Sequence, residues 1–386
     1  MVDRITDQVS GLRGLPVTEA PPTFFISPDR MAENVREIIE EEYTREEADI
    51  EAQILALMDF IEPGTDLKQA FADLYAGSVV GYYDTDTGEM FVLNTGDSLT
   101  PAAKSTLAHE LVHALQDQAF DLDAFLPEDE ENDDLERAKV ALVEGDAVLA
   151  SSQYVNSFLT RSEIIRLYSS NRNGVDLSNI PRVLIRLLTF PYREGAVFVA
   201  EIHDDGGWES VDAAYSHPPL STEHILHPGK YFSGEGPVPV SLPDLGSALG
   251  PGGETLGEGT LGEFMITLYL ENRLTRPRAA AAAEGWGGDA YALLRNAGQD
   301  ESVLVSLSAW DSVGDAHDFY DAMASYFEVA GPQGLELTAS DEGLRAWGSD
   351  SRDIHLALSG DEVLLIISES GAALEAIAAR FPDFPS

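Results

Sequence analysis

One stretch limits the fold more than any other. It starts at Thr100-Pro101 and runs through Leu107-Ala108-His109-Glu110-Leu111-Val112-His113-Ala114-Leu115-Gln116-Asp117-Gln118. Thr100 suits an N-cap and Pro101 a first helical position, so the spacing predicts a helix to about Phe120. On that helix His109 and His113 stand one turn apart on one face, and both imidazoles can meet one ion. Glu110 lies about 100° around the helix from His109 and can flank an ion without binding it. Leu107, Leu111, Ala114 and Leu115 supply the opposite, buried stripe. With 8 His in 386 residues, chance yields roughly 0.015 such H-E-x-x-H matches, so coincidence is a small part of the reading. The plainer alternative is two surface histidines on an amphipathic helix.

A catalytic zinc ion takes three protein ligands and keeps one position open. No His follows His113 closely enough to be the third, so a carboxylate from another helix is expected. Glu144, in Ala141-Leu142-Val143-Glu144-Gly145-Asp146-Ala147, fits best. Its neighbours are apolar, and a buried Glu without a partner is costly. Gly145 is poor in a helix interior, and close approach to the His109–His113 helix would explain it. The alternative for Glu144 is a core-edge carboxylate paired with an Arg. Asp117 and Asp146 are candidates to accept the outer N–H of a ligand imidazole. Either also reads as surface charge.

Composition narrows the partners. Asp and Glu number 68 against 23 Lys and Arg, a formal charge of −45. Nucleic acid and anionic membrane surfaces are therefore poor partners, since both need clustered Lys and Arg. Lys stands only at positions 68, 104, 139 and 230. Such a carboxylate-dense, Lys-poor surface matches proteins of extreme halophiles, because in molar salt the Debye length falls to about 3 Å and like charges hardly repel. An acidic mesophile protein is the blander alternative. With no Cys, disulfides, thiolate metal sites and cysteine nucleophiles are excluded. No stretch approaches the roughly 18 apolar residues of a membrane-spanning helix, and the first ten residues do not read as a signal peptide.

Along the chain, residues 1–23 read as an extended lead-in, Thr23–Ile26 as a short strand, and Asp29–Ile61 as helical with a solvated Glu-rich face. A short helix over about Asp66–Gly77 precedes a hairpin of Val79–Asp84 and Glu89–Asn94, with Gly88 supplying positive φ in the turn. Leu135–Tyr168, Ile180–Leu188 and Ala196–Trp208 read as helices. Ser233–Gly262 holds nine Gly and four Pro and reads as a linker or long loop. Beyond it come a helix over Glu263–Arg273, a strand over Val303–Ala309 and a helix over Ser312–Phe327. A strand pair follows, turning at Ser359-Gly360-Asp361, and then a helix over Ala372–Phe381. Ala279–Ala283 reads as a helical surface. The expected fold class is α+β, with residues 1–232, 233–262 and 263–386 as first domain, linker and C-terminal α+β subdomain. The acidic run Glu128–Asp134 invites a calcium reading, but its spacing does not match an EF-hand loop, and carboxylates there suit a helix N-terminus.

The run His109–Gln118 followed by Glu144-Gly145-Asp146-Ala147 resembles the gluzincin-type zinc metallopeptidases, and more closely a group of bacterial and haloarchaeal metallopeptidase-like proteins. Arg13-Gly14-Leu15-Pro16, Val80-Gly81-Tyr82-Tyr83-Asp84, Pro218-Pro219-Leu220-Ser221-Thr222-Glu223-His224-Ile225-Leu226-His227-Pro228 and Gly285-Trp286-Gly287-Gly288-Asp289 add to that resemblance. It implies a zincin-like, mainly helical core holding Zn2+ and a peptide or protein substrate. It also implies export or a cell-surface location, with the cytoplasm of a halophile as the alternative. The N-E-x-x-S-D pattern of the thermolysin branch is absent around Glu144. In zincin-like folds a strand ahead of the metal helix pairs with extended peptide, and the hairpin here is in the right order for that role or for a purely structural one.

The function expected from these residues is zinc-dependent peptide hydrolysis, with His109, His113 and Glu144 as ligands and Glu110 as general base. A second donor to the oxyanion is usual. Candidates are His227 first, then His224, Tyr231 and Tyr83. Two alternatives stand beside it. One is a catalytically inactive, zincin-like zinc-binding surface or structural protein, which has no need of Glu110. The other is a metal-dependent hydrolase acting on another bond.

Overall fold

The computed structural model describes residues 1–96, 98–127, 132–170, 179–296, 301–330 and 334–385. The chain begins with a helix, not the extended lead-in expected from its sequence. In α1 (Val2–Arg13) Val2, Ile5, Val9 and Leu12 make one apolar face at helical spacing, set among Asp3, Arg4 and Asp7. Gly14, at φ 85°, ends it in the left-handed conformation that glycine adopts freely. After β1 (Thr23–Ile26), the stretch Asp29–Ile61 forms two helices rather than one. These are α2 (Pro28–Glu42), capped by Ser27, and α3 (Arg45–Leu57), started by a capping box of Thr44 and Glu47. Then α4 (Leu67–Ser78) leads into the hairpin of β2 (Gly81–Asp84) and β3 (Glu89–Leu93), which turns at Gly88 with φ 67°. Strand β1 joins β3 in parallel, so the small sheet runs β1-β3-β2 and β2 is an edge.

The helix predicted from Thr100 and Pro101 is α5 (Pro101–Phe120), and the Thr100 side chain accepts the Ala103 N–H. A short α6 (Leu122–Phe125) follows. The stretch Leu135–Tyr168 divides into α7 (Asp133–Phe158) and α8 (Arg161–Ser170), because Thr160 and Glu163 cap a new start. In contrast, the two helices expected over 180–208 are one element, α9 (Arg182–Ser216), which passes through Pro191 and kinks at Gly206-Gly207. Two short turns, α10 (Thr222–Leu226) and α11 (Pro228–Ser233), complete this part.

The Gly- and Pro-rich segment is not all loop. Within it β4 (Gly253–Gly259) forms the edge of a seven-stranded antiparallel sheet. The remaining elements are α12 (Gly262–Glu271), α13 (Arg276–Ala283), β5 (Trp286–Asn296), β6 (Glu301–Trp310), α14 (Val313–Ala330), β7 (Glu336–Asp341), β8 (Leu344–Gly348), β9 (Asp353–Ser359), β10 (Glu362–Ser368) and α15 (Gly371–Ala378). The sheet order is β4-β5-β6-β10-β9-β8-β7. The alanine run in α13 is a surface only in part: Ala280 and Ala281 are exposed, and Ala279, Ala282 and Ala283 are buried. The fold is α+β, with helices gathered in the first half and the large sheet in the second. Among the described residues no helix is long and apolar enough to cross a membrane.

Two apolar cores fix the site. Leu107, Leu111 and Leu115 of α5 pack with Ile5 and Val9 of α1, Met90 and Val92 of β3, and Ala147 and Tyr154 of α7. Each Leu, Ile, Val or Met among them contributes roughly 1.5–3 kcal/mol when fully buried, so α5 is held firmly from below. The larger core runs from Leu142 of α7 through Phe198 of α9 to Phe264 of α12 and Trp286 of β5. Phe190 stacks on Phe264 with ring centroids 3.9 Å apart, tying α9 to the second half.

Candidate metal centre

Helices α5 and α7 bring three expected residues together. His109 Nε2 and His113 Nε2 lie 3.2 Å apart. Glu144 Oε2 is 3.1 Å from the first and 3.4 Å from the second. A tetrahedral ion with ligand bonds of about 2.0–2.2 Å separates its ligand atoms by about 3.3–3.6 Å, so this triangle fits one with little adjustment. Among the described residues, this is the one group of three or more His, Asp or Glu whose candidate ligand atoms all lie within 4.8 Å of one another.

The hydrogen bonds around the group decide what it needs. His113 Nδ1 lies 2.9 Å from Gln116 Oε1, and Gln116 Nε2 donates to the Val143 carbonyl at 3.0 Å. That second bond sets the amide orientation, so the Gln116 oxygen faces the imidazole and accepts its Nδ1–H. In the neutral ring His113 Nε2 is then a lone pair, and it points at a carboxylate and another imidazole nitrogen. Acceptors that converge in this way need a cation or an extra proton between them. Without a metal, the proton goes to His113. Burial alone would lower its pKa, but the Glu144 charge and hydrogen bond outweigh burial and raise it to about 9. Burial likewise pushes Glu144 up, but His113 and His109 overcome it and hold the carboxyl well below its usual range.

Glu110 sits where a proton carrier would be useful. It is buried and lines the same cleft as the three ligand candidates. Burial raises its pKa, partly offset by the two imidazoles and by the Tyr83 backbone N–H. That N–H is close because β2 lies directly on α5. A Cβ on Gly81 would stand 2.4 Å from Thr106 Cγ2 and 3.0 Å from Glu110 Oε1. Only glycine allows the strand so near the helix.

The cleft has a volume of about 650 Å³. Val35, Ile38 and Ile39 of α2, Phe71 and Tyr75 of α4, and Tyr82 and Tyr83 of β2 form its walls. Tyr192 of α9 closes the metal end: its ring is partly exposed, and its hydroxyl donates to Glu144 Oε1 at 2.9 Å.

The other expected site residues lie elsewhere. Asp117 accepts the Tyr83 hydroxyl at 2.8 Å and the Leu122 N–H at 3.1 Å, and Asp146 accepts Arg13 Nε at 2.6 Å and the Tyr215 hydroxyl at 2.9 Å. Neither therefore takes an imidazole N–H; Gln116 does so for His113. His227, expected as the oxyanion donor, does not line the cleft; its Nε2 lies 2.8 Å from Glu263 Oε1. His224 is likewise spent on the Glu235 carbonyl, and the Tyr231 hydroxyl donates to the His217 carbonyl. The Pro218–Tyr231 segment acts as a clamp between halves, since Thr222 donates from both N and Oγ1 to buried Asp134 and its Oγ1 accepts the Phe264 N–H. Gly145 owes its place to α9 rather than α5: a Cβ there would lie 2.2 Å from the Gly195 carbonyl oxygen. Of the acidic run considered for calcium, Glu128–Glu131 lies outside the described residues, and Asp134 is bound to Thr222.

Sequence reasoning did not see Gln116 and Tyr192 as parts of the site. Gln116 had a signal, standing three residues after His113 on the same helix face. Tyr192 had none, because only the crossing of α7 and α9 brings it there.

Residues 250–378 match a family described as a domain of unknown function (DUF8575). The match begins just before β4, ends with α15 and leaves the His109, His113 and Glu144 group outside it. No curated protein and no solved structure matches the chain.

Proposed function

We propose that this protein is a zinc-dependent metallopeptidase with a zincin-like helical core. The observation that carries the reading is the convergence of two imidazole nitrogens, one of them fixed as an acceptor by Gln116, and one carboxylate oxygen, beside a buried Glu in an open cleft. Two His and one Glu suit zinc, and the chemistry such an ion supplies is polarisation of a carbonyl and acidification of a water. His109, His113 and Glu144 would hold it.

The remaining roles belong to the chain. Glu110, with its pKa raised by burial, takes a proton from the attacking water and returns it to the leaving amine. The Tyr83 N–H fixes the Glu110 carboxylate. Strand β2 pairs with β3 on one side only and lines the cleft, where an extended peptide can add as a further strand. Main-chain pairing of that kind gives affinity with little sequence preference.

The test is cleavage of an unstructured protein in molar KCl by zinc-loaded wild type and Glu110→Gln. The variant should keep its zinc and lose roughly 10²–10⁴-fold in rate. A zinc-loaded wild type that cleaves no peptide bond, or a variant as fast as wild type, would overturn the reading.

A further inference from the structure

Glu144 turns its two oxygens to different neighbours. Oε2 faces the imidazoles, at 3.1 Å from His109 Nε2 and 3.4 Å from His113 Nε2. Oε1 accepts the Tyr192 hydroxyl at 2.9 Å. The Tyr192 ring also lies beside the His109 ring, with centroids 6.0 Å apart and planes 30° apart. One side chain of α9 therefore touches two of the three ligand candidates.

That contact depends on how closely α7 and α9 cross. A Cβ on Gly195 would lie 2.1 Å from the Ala141 carbonyl oxygen, and one on Gly145 would lie 2.2 Å from the Gly195 carbonyl oxygen. No other residue type fits either place without moving a backbone. Glu144 is next to Gly145, and Tyr192 is one turn before Gly195, so the glycine crossing and the hydrogen bond sit side by side. Separating the helices by the width of a methyl group would draw the hydroxyl off the carboxylate.

A carboxylate with one oxygen held by a hydroxyl offers the other to an ion. A carboxylate free to rotate can offer both, and a second oxygen would fill the position that a catalytic zinc keeps open. We infer that Tyr192 is a positioning residue that restricts Glu144 to one-oxygen metal binding, with the Gly145–Gly195 crossing setting its reach. The inference rests on the metal-binding part of the proposed function and not on peptide hydrolysis.

The test uses the full chain with Tyr192→Phe, loaded with Co2+ as a spectroscopic probe, and with Zn2+ in competition against a chromophoric chelator. The substitution removes one oxygen from a partly exposed ring, so circular dichroism and thermal midpoint should stay near wild type. Zinc affinity should fall about 10–100-fold. The visible absorption of the Co2+ form should weaken, as it does when coordination rises from four to five or six. Unchanged affinity together with a wild-type cobalt spectrum would overturn the inference, and is the result expected if Tyr192 contacted only substrate. A wild type that binds neither ion would overturn the metal reading as well. A protein that binds both ions yet cleaves no peptide would leave the effect of Tyr192→Phe intact.

Discussion

Two carboxylates in this molecule, Asp289 buried and Glu144 half-buried, have opposite surroundings. Asp289, in the sheet half, accepts the Leu261 N–H and the Gly262 N–H at 2.9 Å each and the Trp286 indole N–H at 2.9 Å. Glu144, in the helical half, meets two imidazole nitrogens, one of which is fixed as an acceptor by Gln116. Asp289 is saturated with donors and seals a helix start against a strand. Glu144 has one hydroxyl donor, Tyr192, and turns its other oxygen to the two imidazole nitrogens at the end of an open cleft. What separates the structural carboxylate from the ligand candidate is how far donors already satisfy it: both Asp289 oxygens are taken by N–H groups, whereas one Glu144 oxygen faces the imidazoles.

The sharpest way to break this contrast is to remove each carboxylate in turn. Glu144→Ala should abolish metal binding and leave the fold, read by circular dichroism, in place. Asp289→Ala should do the reverse. It strands three buried N–H donors, and chemical denaturation should show a loss of about 3 kcal/mol with metal per folded chain unchanged. If Asp289→Ala emptied the metal site while remaining folded, the two regions would not be separable in this way.

A smaller effect is expected at the helix crossing. Gly195→Ala forces a methyl group against the α7 backbone and should cost about 1–3 kcal/mol by denaturation, together with weaker zinc binding. Destabilisation with zinc affinity unchanged would detach the crossing from the site.

A further effect is expected on pH dependence. In the metal-free protein His113 has its pKa raised from 6.5 to about 9. Its contribution to stability is therefore full below pH 6.5 and is lost as pH rises through about 9. Zinc must displace that proton, so its affinity should increase with pH up to about 9. Calorimetry in buffers of different ionisation enthalpy should record proton release on binding at pH 7. Asp289, pushed up to about 6 by burial against the pull of its three donors, also favours the folded state below pH 3.8 and loses that contribution as pH rises through about 6. A stability profile without change between pH 6.5 and 9 in the metal-free protein would contradict the arrangement of acceptors around His113.

What the sequence revealed follows from how local each feature is. The span of α5 was legible because its cap, its first proline and its apolar stripe all lie within twenty residues. His109, His113 and Glu144 came from ligand chemistry, and the structure brings them together. Helix α1 carries a helical spacing in Val2, Ile5, Val9 and Leu12, but what holds its end lies far off in sequence: Arg13 is fully buried and pairs with Asp146, 133 positions away. The reason for Gly145 was misassigned because its true neighbour is Gly195, fifty residues on. The His227 assignment failed for a related cause, since sequence shows a ring nitrogen but not the Glu263 that occupies it. Strands β5, β7 and β8 were not read, and β4 was hidden in a segment whose glycines signal a loop. Its register shift between Thr255 and Gly257 shows how such a strand departs from regular pairing.

His109 Nε2, His113 Nε2 and Glu144 Oε2 stand close enough to share one cation. Elemental analysis of protein purified in molar KCl, with Glu144→Ala beside it, tests this most directly. One zinc per wild-type chain and none in the variant is the expected result. A wild-type protein that holds no metal after zinc is offered at neutral pH would contradict it.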